Sequence, residues 1–257
     1  MRTDGSCIVV TGAAGGIGAA LARRFVADGA RTVVVSDVDA AGATRVASET
    51  GGDAFPCDVT DPDAIARLVD EVEARHGPID LFCSNAGVAI PGGVELDDAP
   101  WRLSIDVNVM AHVWAARVLI PRMVARGGGH LLQTASAAGL LTQLGSAPYS
   151  VTKHAAVALA EWIAITYGEQ GIKVSVLCPQ AVRTNMTAGV EGGGVAGVDG
   201  MLEPDDVAEA VAAGLARDDF LILPHPQVHE YVQRKAADHA RWIGGMQRLQ
   251  RRFPHPV

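Results

Sequence analysis

The chain has 257 residues, is 49% hydrophobic and 19% charged, and carries a formal charge of −8, enough apolar material for a sizeable core in one domain. The negative balance argues against a nucleic-acid partner or an anionic lipid surface, both of which call for a basic face. No apolar run is expected to reach the roughly 18 to 20 residues that span a bilayer, and Asp4 and Gly5 interrupt any leader-like segment before the first strand.

In chain order, β-branched apolar runs at 7–11, 32–36, 54–57, 81–84, 130–134 and 173–178 alternate with helical-period segments at 16–28, 40–50, 63–76, 101–126 and 149–170. Strands without a polar face, separated by helices, predict a parallel sheet covered on both sides, doubly wound by right-handed crossovers. Segment 187–200 holds six glycines and reads as a mobile lid or loop, with 185–202 as its outer bounds. Glu203-Pro204-Asp205-Asp206 marks a helix start, 220–223 one more strand, and 228–252 a basic terminal helix. The organisation is a single domain over 1–257, with a cofactor half at about 1–128 and a catalytic half at about 129–257. The four cysteines lack metal-ligand spacing and sit in strand-like runs, as buried thiols of a reducing cytoplasm do. No catalytic metal is predicted, and His154 is expected to be structural.

The first strand runs into Thr11-Gly12-Ala13-Ala14-Gly15-Gly16-Ile17-Gly18 and then a helix. Glycines there let backbone approach a pyrophosphate, and a helix N-terminus offers free N–H groups. A plain tight turn would read the same way. Asp37, at the end of the second strand about 20 residues on, is placed to accept from a ribose diol. Its charge repels a 2′-phosphate, and Ser36-Asp37-Val38-Asp39 carries no cation, so NAD is preferred to NADP.

Tyr149-Ser150-Val151-Thr152-Lys153 puts a phenol and an ammonium one turn apart on a helix face. A free phenol, with a pKa near 10, is a poor base at neutrality; a nearby cation favours the phenolate. A surface pair is the plainer reading of the same spacing. Ser136 follows a strand at the carboxyl edge, where it can hold a substrate oxygen beside Tyr149. Asn108, a poor helix former in an apolar helix, is either a satisfied core amide or the anchor of a water beside Lys153.

Taken together, Thr11–Gly18, Ser84-Asn85-Ala86-Gly87, Asn108, Ser136 and Tyr149–Lys153 resemble the short-chain dehydrogenase/reductase family over residues 6–186. The resemblance implies a seven-stranded parallel sheet and a tetrad of Asn108, Ser136, Tyr149 and Lys153. It implies a dinucleotide held by Gly12, Ala14, Gly15, Gly16, Ile17, Gly18 and Asp37, with Asp58 and Val59 against the adenine. Asn85, Ala86, Gly87, Tyr149, Lys153, Pro179, Val182 and Thr184 would complete that site. Gln180 stands where the family carries a glycine, pointing either into the pocket or to solvent.

The implied reaction is the interconversion of a secondary alcohol and a ketone, with Tyr149 as acid/base, its pKa lowered by Lys153. Ser136, Ala138, Leu144, Tyr149, Gln180 and Met186, with Val88, Ala89, Ile90 and Leu140, are the expected substrate wall, apolar enough for a neutral substrate. The alternatives are an NADPH-dependent carbonyl or 3-oxoacyl-(acyl-carrier-protein) reductase and a dinucleotide-sensing protein without chemistry. A homodimer or homotetramer through 101–126 and 149–170 is expected, with Val109, Val113, Ala116, Ala156 and Leu159 at the contact.

Overall fold

The computed structural model describes residue 1 and residues 3–253; residues 2 and 254–257 of the expected domain lie outside the described part. The chain runs β1 (Cys7–Thr11), α1 (Gly16–Ala27), β2 (Thr32–Asp37), α2 (Ala40–Thr50), β3 (Asp53–Pro56), α3 (Pro62–His76) and β4 (Leu81–Ser84). It continues through α4 (Asp98–Ile105), a π turn (Asp106–Met110), α5 (Ala111–Ala125), β5 (Gly129–Thr134), α6 (Ala138–Leu141), α7 (Ala147–Tyr167) and β6 (Ile172–Leu177). The last part is 3₁₀ turns at Asn185–Thr187 and Glu191–Gly197, then α8 (Pro204–Ala216), β7 (Leu221–Ile222), α9 (Gln227–Ala237) and α10 (His239–Gln250).

All seven strands are parallel, in the order β3-β2-β1-β4-β5-β6-β7. The strand order reverses between β1 and β4, and the crevice beyond their carboxyl ends is where such sheets bind ligands. β1 explains the two-sided core. Cys7 and Val9 face one layer, with α3, α5 and α7; Ile8 and Val10 face the other, with α1, α2 and α8. A strand buried on both faces must be apolar throughout, hence the missing alternation.

Several expectations are corrected. The segment expected as one helix over 101–126 begins at Asp98 and is broken by the π turn, where Ala111 N–H reaches back to Asp106 O. Asp98–Ala125 is long and apolar enough to cross a membrane by length and composition, so the expectation of no such run is overturned; half of its window is buried inside the fold. The terminal helix expected over 228–252 is two helices. Asp238 leaves helical geometry at φ −153° and caps α10 by accepting from Arg241 N–H at 2.9 Å. The glycine-rich segment is wound into 3₁₀ turns and tied to the chain after β6, Ala181 bonding Ala196 O and Leu202 N–H at 3.1 Å each. All four cysteines are free and buried, and burial pushes Cys7 and Cys57 up to about 11 and Cys178 up to about 12.

Candidate active site

One cavity of about 1390 Å³ lies along the carboxyl edge of the sheet, from Asp37 at one end to Phe253 at the other. Its first half is built largely of backbone. β1 hands the chain to Gly12, whose φ of 65° and position exclude a side chain: a Cβ there would lie 2.7 Å from Ala86 Cα. Gly15 caps α1 with no side-chain acceptor, and a Cβ on it would meet nothing within 4 Å. The first turn of α1 therefore presents its N–H groups to an open cradle, fit for a pyrophosphate. Gly12, Ala14, Gly15, Gly16, Ile17 and Gly18 all line it.

Asp37 closes the end of this cradle. Its Oδ2 accepts from Ala14 N–H at 2.9 Å and its Oδ1 from Asp39 N–H at 3.0 Å, so the carboxylate is anchored at the rim with lone pairs to spare. Asp58 and Val59 follow β3 on the same wall; Asp58 is held by Thr60 through both its N–H and its hydroxyl. Asn85 is a rivet. Its Nδ2 donates to Thr11 O and Gly12 O at 3.0 and 3.3 Å, and its Oδ1 accepts from the Thr134 hydroxyl. Ala86, Gly87, Pro179, Val182 and Thr184 complete the cofactor wall expected from sequence. Open space, uncapped helix donors and a rim carboxylate suit a nicotinamide dinucleotide.

The candidate reacting groups Ser136, Tyr149 and Lys153 line the same cavity. Ser136, two residues beyond β5, donates to Pro179 O at 3.3 Å and accepts from Ala138 N–H at 3.1 Å. The Tyr149 phenol lies near enough to the Ser136 hydroxyl to be stabilised by it. Pro148 in the first turn of α7 sets that helix's start, which places Tyr149 in its first turn and Lys153 on the next. The Lys153 ammonium is 2% exposed, donates to Thr134 O at 2.8 Å and lies 5.7 Å from the Tyr149 ring centroid.

Burial brings Lys153 down to about 8. Burial also raises the Tyr149 phenol, against the smaller lowering influence of the nearby Ser136 hydroxyl. The expected lowering of the phenol by Lys153 is thus corrected: the ammonium is committed to Thr134 O, and desolvation of the phenolate dominates.

Asn108 is the one member of the expected tetrad that does not line the cavity. It is fully buried in the π turn. Its Oδ1 accepts from Val88 N–H, and its Nδ2 donates to Val88 O and to Thr152 Oγ1, at 2.9, 2.9 and 3.0 Å. Both amide protons are used, so the side chain pins the chain after β4 to α7 and is no donor to a water. A Cβ on Gly87 would lie 3.3 Å from Asn108 Oδ1 and 3.4 Å from Lys153 Nζ, so these two groups approach the chain closely there.

Of the substrate wall, Ala138, Leu144, Gln180 and Met186 line the cavity beside Ser136 and Tyr149, as do Val88 and Ala89. Ile90 and Leu140 do not, and Pro91 and Leu141 take those places. Gln180 lines the cavity, and its Nε2 donates to Asp199 Oδ2 at 3.0 Å. Arg183 pairs with Glu203 at 2.7 Å. His154 bonds Ser150 O at 2.8 Å, off the reacting face. Among the described residues, no group of three His, Cys, Asp or Glu is arranged to hold a metal.

Two contributions went unread in the sequence. Arg45 of α2 reaches the cradle, donating to Ala14 O at 2.9 Å. At the far end, α9 and α10 cover the cavity with Tyr231, Arg234, Trp242, Met246, Leu249, Arg252 and Phe253. The signal was present: residues 242, 246, 249 and 253 repeat at helical spacing within a polar segment.

The family model for short chain dehydrogenase matches residues 6–192. The chain is 40% identical to the 1-deoxy-11-beta-hydroxypentalenate dehydrogenase of Streptomyces exfoliatus, over 86% of this chain and 84% of that protein. It is 36% identical to the cis-4-hydroxycyclohexanecarboxylate dehydrogenase of Sinomonas cyclohexanicum, over 79% and 86%. A solved short-chain dehydrogenase/reductase from Burkholderia phymatum, in complex with NAD, superposes with a TM-score of 0.84 at 28% identity, over 93% of this chain and 96% of that one. With this fold, this cavity and these matches, the chain belongs to the short-chain dehydrogenase family, oxidoreductases that act on CH–OH groups with a nicotinamide dinucleotide.

Proposed function

We propose that this enzyme interconverts an apolar cyclic secondary alcohol and its ketone, with NAD as the dinucleotide. The observation that carries the reading is the set Ser136, Tyr149 and Lys153 in the wall of a cavity continuous with the glycine cradle. When bound, the dinucleotide supplies the hydride acceptor or donor. Ser136 orients the substrate oxygen, and Tyr149 takes its proton in oxidation and returns it in reduction. Lys153 stays charged below about 8 and, lining the same cavity, would hold the ribose hydroxyls of the bound dinucleotide.

Asp37 supports NAD, because an anchored carboxylate at the cradle's rim repels a 2′-phosphate. Arg45 is the nearest counter-argument, since a phosphate reader needs a cation there, but its guanidinium is engaged by Ala14 O and Glu49. The NADPH-dependent carbonyl or 3-oxoacyl-carrier reductase is the rival that this pairing disfavours. A sensor without chemistry is disfavoured by the intact Ser136, Tyr149 and Lys153.

The apolar cap of Trp242, Met246 and Leu249 supports a hydrophobic ring substrate. A second reading, an apolar alcohol that also bears a carboxylate, is favoured by Arg234 and Arg252 at the rim and by the hydroxy-acid names of two relatives. Secondary alcohols should be screened with NAD and NADP at alkaline pH, following the reduced nicotinamide, with cyclohexanol set against cis-4-hydroxycyclohexanecarboxylate. Turnover with NAD is expected; no turnover of any alcohol, or turnover with NADP alone, removes the reading.

A homodimer or homotetramer through α7 is proposed alongside. Val151, Trp162 and Ile165 are exposed on that helix, Ile165 by 83%, an unusual cost for a lone chain. Ala116 and Ala156, expected at the contact, instead lie in the core. Light scattering that gives a monomer at micromolar concentration rejects the assembly.

A further inference from the structure

We propose that Gln180, Asp199 and Tyr231 form a clasp that shuts the glycine-rich lid and the C-terminal cap over the substrate end of the cavity as one unit, with Asp199 as its positioning residue. The proposal rests on the reading that substrate binds beneath that cap. The three residues belong to three separate stretches: the chain after β6, the end of the lid, and α9. Each Asp199 oxygen takes one donor, Oδ2 from Gln180 Nε2 at 3.0 Å and Oδ1 from Tyr231 Oη–H at 2.9 Å. A carboxylate bonded by two neutral donors makes charge-assisted bonds, stronger than neutral ones. Asp199 has no salt-bridge partner among the described residues, so these two bonds are what fix its side chain.

Each end of the clasp is anchored to something that matters for the reaction. Gln180 follows Pro179, whose carbonyl accepts from both Ser136 and Ala137. Its own N–H bonds the Nδ1 of the buried His225 at 3.2 Å. Its Oε1 is buried without a hydrogen-bond partner, so among its side-chain groups the Nε2–Asp199 bond is the one that sets its orientation. Tyr231 packs in a small apolar cluster with Ala137, Leu141 and Trp242, immediately behind Ser136. Burial first and Asp199 second raise the Tyr231 phenol, which keeps it a neutral donor. Lid, cap and the Ser136 turn are therefore joined through one carboxylate, and a residue in place of the family's glycine supplies one of its two donors.

The test is hydrogen–deuterium exchange of the full chain with saturating NAD, comparing wild type with Q180G, D199A and Y231F. Losing one bond to a charged acceptor should raise local exchange about tenfold. The clasp predicts that each variant loosens both segments: Y231F the lid at 187–200, and Q180G the cap at 227–237. Effects confined to each variant's own segment, or none in either, overturn it. In steady-state kinetics D199A should raise KM for the alcohol about tenfold while kcat changes less than about twofold. An unchanged KM overturns the positioning role even where exchange is coupled. Because exchange needs no turnover, failure to find any alcohol substrate strikes the proposed function and leaves the clasp to be decided separately.

Discussion

The two ends of the cavity are built on different principles. At the dinucleotide end, the contacts come from the first turn of one helix and the tips of adjacent strands, and most of the donors are backbone N–H groups. At the substrate end, the wall is assembled from segments spread over more than a hundred residues: the turn after β5, the lid, and α9 with α10. The first end tolerates few changes because glycine is the only residue that fits, as the 2.7 Å approach of a Cβ on Gly12 to Ala86 makes plain. The second can change its lining one side chain at a time without disturbing the sheet. A family sharing one reaction and many substrates would divide its structure in this way.

The sharpest way to break this comparison is at the hinge between the two ends. Tyr149→Phe should lower turnover by about 10² to 10⁴-fold, the range expected for a positioned acid/base, while dinucleotide affinity measured by fluorescence titration holds within about twofold. Loss of dinucleotide binding in step with turnover would show the phenol to be structural instead. Next in size, Asp37→Ser should swing the ratio of kcat/KM for NAD over NADP toward NADP by about 10 to 100-fold, as expected for removing a charge and its hydrogen bonds. A ratio that stays put transfers the discrimination to Arg45.

A smaller effect is expected at the far end. Trp242→Ala should raise KM for an apolar alcohol about tenfold through lost apolar contact, and leave dinucleotide affinity alone. An equal loss in both would show that the ends are not separable. The smallest effect concerns the frame beneath them. Burial lowers His112 to about 3 and His130 to about 4, both below the unfolded value of about 6.5. Between those limits the unfolded chain binds more protons, so stability present above about pH 6.5 is lost progressively as pH falls toward 3. Thermal melts of His112→Leu should show a flatter acid limb than wild type; an unchanged limb assigns the acid sensitivity elsewhere.

Much of the first end could be read from residues alone. The strand-then-glycine pattern and the acid at Asp37 are local in sequence, so the backbone geometry they impose is local as well. Ser136, Tyr149 and Lys153 were legible for the same reason, lying at a strand tip and on one helix turn. Asn108 was legible as a residue but not in its role. A lone amide in an apolar helix signals a buried hydrogen-bonding need; only the π turn and the facing Val88 backbone show which groups meet it.

Gln180 shows the same limit more clearly. Its departure from the family's glycine was visible, whereas its partner Asp199 lies 19 residues on and belongs to a segment read as a loop. The apolar stripe from Trp242 to Phe253 was equally visible. Where that stripe docks depended on the break at Asp238, which a continuous helical period conceals.

The amino-acid order by itself determined the parallel sheet, the glycine cradle and the placement of the residues proposed to exchange a proton, because strand burial, positive φ and helix spacing act over a handful of neighbouring positions. The fold alone decided the state of those residues and the shape of the pocket. Desolvation of Tyr149 and Lys153, the occupation of Asn108 and the folding of α9 and α10 over the reaction site all arise from groups far apart in the chain, whose separation only packing can fix.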